Sequence, residues 1–159
     1  EKMKPASYRD IQPDEIPEQK IPGGSVRIIA GAFDGGDGQA VPGPIQGLST
    51  APLFLDFRLD AGARVRQRVT AGHAAFLYPY AGSLSIVTDE MPRPLAARQA
   101  GVLSDGEQVE FEAGPDGCGV LLLSAQPLGE PVVQYGPFVM NTREEIEQAL
   151  DDYRAGTLA

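Results

Sequence analysis

Histidine and cysteine occur once each among 159 residues, and tryptophan is absent. A single histidine, His73, leaves no set of imidazoles within the chain from which a metal centre of several nitrogen ligands could be assembled. A single cysteine, Cys118, excludes an internal disulfide. It stands in the apolar stretch GCGVLLL with nothing beside it to activate a thiolate, so it reads as a small core residue. Positive charge is also scarce. Thirteen Lys and Arg face twenty-two Asp and Glu, and the net charge of -9 repels both a nucleic-acid backbone and an anionic membrane surface. No apolar run approaches the ~20 residues needed to cross a bilayer, and EKMKPASYRD lacks the hydrophobic stretch of a secretory leader, so the expected location is cytoplasmic.

What the chain has in quantity is turn-forming residues. Nineteen glycines and fourteen prolines are dispersed along it, as many short strands joined by turns require. SVRIIAGAF opens the series at residue 25, and LFLDFRLD (53–60), RVRQRVT (64–70), HAAFLYPY (73–80), GSLSIVT (82–88), EQVEFEA (107–113) and GCGVLLLSA (117–125) follow. Their spacing predicts a single all-β domain, a sandwich or barrel, with no internal repeat. The expected division is a linker-like extension over 1–24, a β-sandwich over 25–136, and an apolar segment with a terminal helix over 137–159.

That last segment poses the sharpest question. In QYGPFVMNTREEI (134–146), an apolar stretch runs directly into a helix start close to the chain end. Thr142 followed by Glu145 is a capping box, and Ile146, Ala149, Leu150 and Tyr153 recur at helical spacing, so one face must be covered. Arg154 and Gly156 make the stop. Elsewhere the polar constellations point to little chemistry. GAFDGGDGQ has no helix behind it and reads as a solvated hairpin, its Asp34 and Asp37 matching no calcium loop. Ser83, Ser85 and Ser104 lack the context of a nucleophile elbow. Arg64, Arg66 and Arg68 share one strand face, a solvated row beside the chain's own carboxylates or, alternatively, the wall of a groove for an anion.

The run PLGEPVVQYGPFVMNTREEIEQALDDYRAGTL resembles the C-terminal signature of the pirin family, and YRDIQPDEIP, AGHAAFLYPYAGS and LSDGEQVEFEA resemble, in the same order, further segments of that family's C-terminal half. The resemblance implies a cupin fold: a jelly-roll double-stranded β-helix of two packed antiparallel sheets with one C-terminal α-helix. Pirins are two-domain cupins of nearly twice this length, whose N-terminal cupin binds a metal such as iron through three histidines and a glutamate. What stands here resembles the second, metal-free cupin.

Aligned to the cupin motifs with Gly82 as the closing glycine, the glutamate position falls near Ala75, the paired histidines near Val69 and Ala71, and the later histidine at Val109. The resemblance thus implies that hydrocarbon replaces a ligand set, and that no metal or cofactor is held by this chain. His73 shares the strand parity of Val69, Ala71 and Ala75. It reads as a turn-to-strand residue whose ring nitrogens satisfy neighbouring backbone groups, with a cavity-lining role, as a ligand's hydrogen-bond partner or a lone metal ligand, as the alternative.

Three functional expectations follow from the resemblance. The favoured one is a non-catalytic cupin that completes or supports a metal-binding N-terminal cupin of the same protein, its chief partner. The second assigns quercetin 2,3-dioxygenase activity to the parent protein, with the active site in the other half. The third is a cupin binding a small apolar ligand in its barrel. Under the first, Tyr135, Pro137, Phe138, Val139 and Met140 form the interdomain interface, and a chain lacking its partner exposes them and self-associates.

Overall fold

The computed structural model describes residues 7–35 and 39–158. Among them are a one-turn 3-10 helix (Pro13–Glu15), twelve strands and one α-helix: β1 (Glu18–Ile21), β2 (Gly24–Ala30), β3 (Ala32–Asp34), β4 (Ala40–Pro42), β5 (Leu53–Leu59), β6 (Arg64–Arg68), β7 (Ala74–Ile86), β8 (Arg93–Ala96), β9 (Gly101–Val102), β10 (Gln108–Ala125), β11 (Val133–Tyr135), β12 (Phe138–Met140) and α1 (Arg143–Ala155). They fall into two compact units, Asp10–Pro127 and a smaller one built from 128–158 with residues 7–9.

The larger unit is organised by two long strands. HAAFLYPY and GSLSIVT, expected as separate strands, form the single β7, and EQVEFEA and GCGVLLLSA likewise form β10. The glycines between the halves bend these strands without ending them. Gly82 (φ +66) and Gly117 (φ +77) occupy the left-handed region open to glycine. At the bend, β10 residues 114–117 bulge opposite Ser83, since the pairing passes from Ala113↔Leu84 to Cys118↔Gly82.

The bend divides one continuous antiparallel ladder into two packed sheets. Beyond the bend, β10 pairs with β5 and with the first half of β7, and the order continues through β2 to the edge strand β1. Before the bend, β10 pairs with β6 and with the second half of β7, which carries β8 on its other side. Phe57 of β5 and Phe111 of β10 meet between the layers with ring centroids 5.6 Å apart and planes at 80°, and both are fully buried. Val26, Ile28, Leu55, Leu77, Leu84, Val120 and Leu122 complete the centre of this core. Cys118 lies in it as expected of a small apolar residue.

The expected linker-like extension contributes more than a lead-in. Residues 18–21 pair antiparallel with β2, from Glu18↔Arg27 to Ile21↔Gly24, and so extend the sheet by one strand. The glycine-rich loop is flanked by the β3–β4 hairpin, whose Phe33 turns inward and meets the Phe57 ring edge-on at 6.2 Å. Asp37 lies outside the described residues.

In the smaller unit, β11 and β12 form a hairpin across Gly136 and Pro137, with Gly136 (φ +56) supplying the positive φ such two-residue turns favour. The hairpin continues through Asn141 and Thr142 into α1. Thr142 Oγ1 accepts from the Glu145 amide at 3.2 Å, while Glu145 Oε2 accepts from the Thr142 amide at 3.1 Å and the Asn141 amide at 2.8 Å. Gly156 closes the helix in the left-handed conformation. The apolar run therefore begins as a strand at Val133, before the expected boundary at residue 137.

Two stability measurements follow from this geometry. A Cβ on Gly82 would collide with the Gly117 carbonyl, whereas one on Gly47, also at positive φ, would meet nothing within 4 Å. Gly82→Ala should therefore cost roughly 2–4 kcal/mol and Gly47→Ala only about 1 kcal/mol in urea unfolding. Equal losses would remove the bend as a packing constraint. Thr142→Ala should cost about 1 kcal/mol and Thr142→Ser close to nothing, a cap effect read from the thermal midpoints of the same three proteins.

Candidate functional site

The residues aligned with the cupin ligand positions gather around one end of the larger unit. Five residues, 69–73, join β6 to β7, and the stretch after β9 leads back into β10. Two bonds close this end: the Val69 amide donates to the Glu107 carbonyl at 3.0 Å, and the Leu103 amide donates to the Ala75 carbonyl at 2.9 Å. The carboxylate of Asp105 accepts from the Gly72 amide at 2.7 Å and the Gly106 amide at 3.0 Å, so the SDG turn pins the 71–72 turn.

Inside this end, hydrocarbon predominates. Ala75 and Val109 are buried and Val69 is half-buried. Ala71 departs from the expected inward row: it sits in the turn pinned by Asp105 and is exposed, because the strand has already ended at Arg68. His73 is half-buried, and its Nδ1 lies 3.4 Å from Ser124 Oγ. Its backbone amide donates to the Thr70 carbonyl at 3.1 Å. The ring nitrogen thus addresses a buried serine hydroxyl on the neighbouring strand rather than a backbone group.

Two polar residues here escaped the sequence reading. Ser124 is 4% exposed, and Gln67, in the inward row Val65, Gln67, Val69, is 3% exposed. The Gln67 amide nitrogen donates to the Arg68 carbonyl at 2.9 Å, while its Oε1 finds no protein partner. The alternation of RVRQRVT carried the signal, since it puts Gln67 opposite Val109 on the interior side.

Among the described residues, no three His, Cys, Asp or Glu side chains converge on a point. One imidazole facing a serine, with hydrocarbon at the aligned positions Val69, Ala75 and Val109, offers a first-row metal too few donors, and the residues present do not fit such a centre. No described helix is long and apolar enough to cross a membrane.

The arginine row is partly self-neutralised. Arg64 Nε and Nη2 donate to Glu112 Oε2 at 3.1 and 2.6 Å, and Arg66 Nε and Nη2 donate to Glu110 Oε2 at 3.0 and 2.7 Å. The bond and charge of Glu112 hold the Arg64 guanidinium above its ordinary pKa. On the outer face of the other sheet, the Tyr80 hydroxyl donates to Asp56 Oδ1 at 2.9 Å; partial burial first, then Asp56, raises its pKa.

Of the residues expected at an interdomain interface, Tyr135, Pro137 and Val139 are exposed, and Phe138 and Met140 are half-buried. Phe138 meets the Tyr153 ring edge-on at 6.1 Å, so it serves the hairpin's own contact with α1. On the helix, Ile146 and Ala149 are buried. The apolar positions left open in this unit include Leu128, Val132, Tyr135, Val139 and Tyr153, each at least 52% exposed.

Residues 54–159 match the family model described as "Pirin C-terminal cupin domain". The chain belongs to the pirin family. It is 46% identical over 159 residues to a Pseudomonas aeruginosa protein named "Putative quercetin 2,3-dioxygenase", covering 99% of this chain and 55% of that one. It is 36% identical over 155 residues to human pirin, covering 97% and 51%. Among solved structures, a quercetin 2,3-dioxygenase from Acinetobacter baumannii superposes with a TM-score of 0.84 at 28% identity, covering 99% of this chain and 52% of that one. The chain thus spans about half the length of these relatives, and the matched domain is the pirin C-terminal cupin.

Cys118 supplies a check on the site's chemistry. Burial pushes its thiol up to about 11, which leaves little thiolate at pH 8. Iodoacetamide should alkylate it roughly a hundredfold or more slowly in the native chain than in urea, followed by intact mass. Comparable rates would identify an accessible nucleophile where the fold shows a core residue.

Proposed function

We propose that this chain is a non-catalytic, metal-free cupin that supports a metal-binding N-terminal cupin of the same pirin-like protein. The observation that carries the reading is the substitution of hydrocarbon at the aligned ligand positions: Ala75 and Val109 buried, Val69 half-buried, and the single imidazole of His73 directed at Ser124. Such an interior contributes packing and offers no set of lone pairs. The chain would hold no cofactor of its own, and iron or a similar metal would reside in the other cupin.

The exposed apolar side chains of the smaller unit supply the contact. Tyr135, Pro137 and Val139 are uncovered, and aromatic and aliphatic groups of this kind anchor interfaces once desolvated. Phe138 and Met140 support that surface from the side of the hairpin that includes the Tyr153 contact. A chain lacking its partner self-associates through the same groups. Quercetin 2,3-dioxygenase activity, the function in the names of two of the relatives above, would on this reading belong to the whole protein and act in its other half.

One co-expression experiment tests the reading: this chain with the N-terminal half of the Pseudomonas relative, followed by co-purification and elemental analysis. The expected result is a complex whose metal stays with the N-terminal half, while this chain alone is metal-free and inactive on flavonols. Val139→Asp should abolish co-purification and leave the thermal midpoint of this chain unchanged. Stoichiometric metal in this chain, lost on His73→Ala, would overturn the metal-free assignment. Undiminished capture by Val139→Asp would move the interface elsewhere.

A further inference from the structure

The β6–β10 edge carries a ladder of charged rungs, and its last rung is unlike the others. The register sets Arg64 against Glu112, Arg66 against Glu110 and Arg68 against Gln108. The first two rungs are closed by ion pairs in which two guanidinium nitrogens donate to one carboxylate oxygen. The third has an amide where the pattern would put a carboxylate, and among the described residues no ion pair engages Arg68.

Arg68 also stands where two hollows meet. It lines a groove of about 590 Å³ whose apolar wall is Ile21, Pro22, Phe33 and Val65, and it lines the neighbouring hollow beside Val69 and Glu107. A volume of this size suits a small organic molecule. The groove lies where the end of β1 and the strand β3 come beside β6, which brings hydrocarbon near a guanidinium. What sets Arg68 apart is the combination of an open charge with an adjoining hollow that has an apolar side.

We propose that this groove binds a small aromatic monocarboxylate, the carboxylate taken in fork geometry by Arg68 and the ring lying against Ile21 and Pro22, over a floor closed by the buried Phe33 and Val65. A planar carboxylate matches the guanidinium fork, and its single charge replaces the one that Gln108 does not supply. A phosphate fits less well. Its second charge would face Glu107 in the adjoining hollow and Asp34 on the groove wall, with only one uncommitted cation to balance it.

The test titrates benzoate into the whole chain by two-dimensional NMR, with benzyl alcohol and acetate as probes carrying only the ring or only the charge. Benzoate should give saturable shifts at Ile21, Phe33 and Val65, and each of the other probes should bind at least about tenfold more weakly. Arg68→Gln removes the cation, and Gln108→Glu closes the third rung from within. Both positions are exposed, and each variant should keep the wild-type spectrum while losing at least about tenfold in benzoate affinity. The proposal is overturned if benzoate produces no saturable shift, if acetate or benzyl alcohol matches it, or if either variant binds as the wild type does. Because the groove lies wholly in the larger unit, these results are independent of whether an N-terminal cupin is captured.

Discussion

The close approach of Gly82 and Gly117 is the constraint on which the larger unit rests. Two strands of thirteen and eighteen residues would otherwise make one long ribbon with a face open to water. Bending both at facing glycines turns that ribbon onto itself, so that Phe111 before the bend meets Phe57 beyond it. A side chain at the bend would hold the backbones apart, and the two layers would lose the contact that makes their inner faces a core. Strand length, sheet count and core position all follow from that one contact of main chain with main chain.

The same bend accounts for the partition of chemistry. Side chains on the concave side are forced into a small volume, which selects Val, Leu, Ile and Phe; Gln67 and Ser124 are buried polar exceptions among the described residues, and Ser124 faces the half-buried His73. The convex side is free to carry charge, and there β6 and β10 arrange arginines against glutamates. Within the pirin family, this domain therefore combines a hydrocarbon interior with a polar exterior.

Much of this was legible in the residues. The alternation in LFLDFRLD and RVRQRVT gave the inward and outward rows, and the capping box gave the start of α1. The expected two-sheet cupin with one helix is the observed fold, and the family resemblance is matched by the family model. The errors share a cause. Glycine signals a turn in sequence, so the pattern ends strands at Gly82 and Gly117, where the structure bends them without a break. Ala71 was placed in the interior row by parity, yet parity holds only while the strand lasts, and here the strand stops at Arg68. Ser124 and Gln67 went unnoticed because a polar residue in an apolar alternation is visible only once its neighbours across the sheet are known. The β11–β12 hairpin was concealed by brevity, for three residues on either side of Gly136–Pro137 carry no periodicity to count.

The bent ladder also bears on the order in which the chain can acquire its structure. Pairing Ala74 with Ala125 closes a loop of about fifty residues, and the entropy of that closure must be met before the inter-layer contacts reward it. The smaller unit has no such debt over most of its length: Val133 finds Met140 across a two-residue turn, and the Phe138–Tyr153 contact spans only fifteen positions. Local contacts of this kind form on microsecond timescales, whereas non-local β topologies take milliseconds to seconds. On refolding from denaturant, the local contacts of the C-terminal hairpin and helix would therefore form before the two sheets had closed. In such a refolding chain the apolar side chains of that unit, Tyr135 and Val139 among them, would be open to another molecule while the larger unit was still assembling.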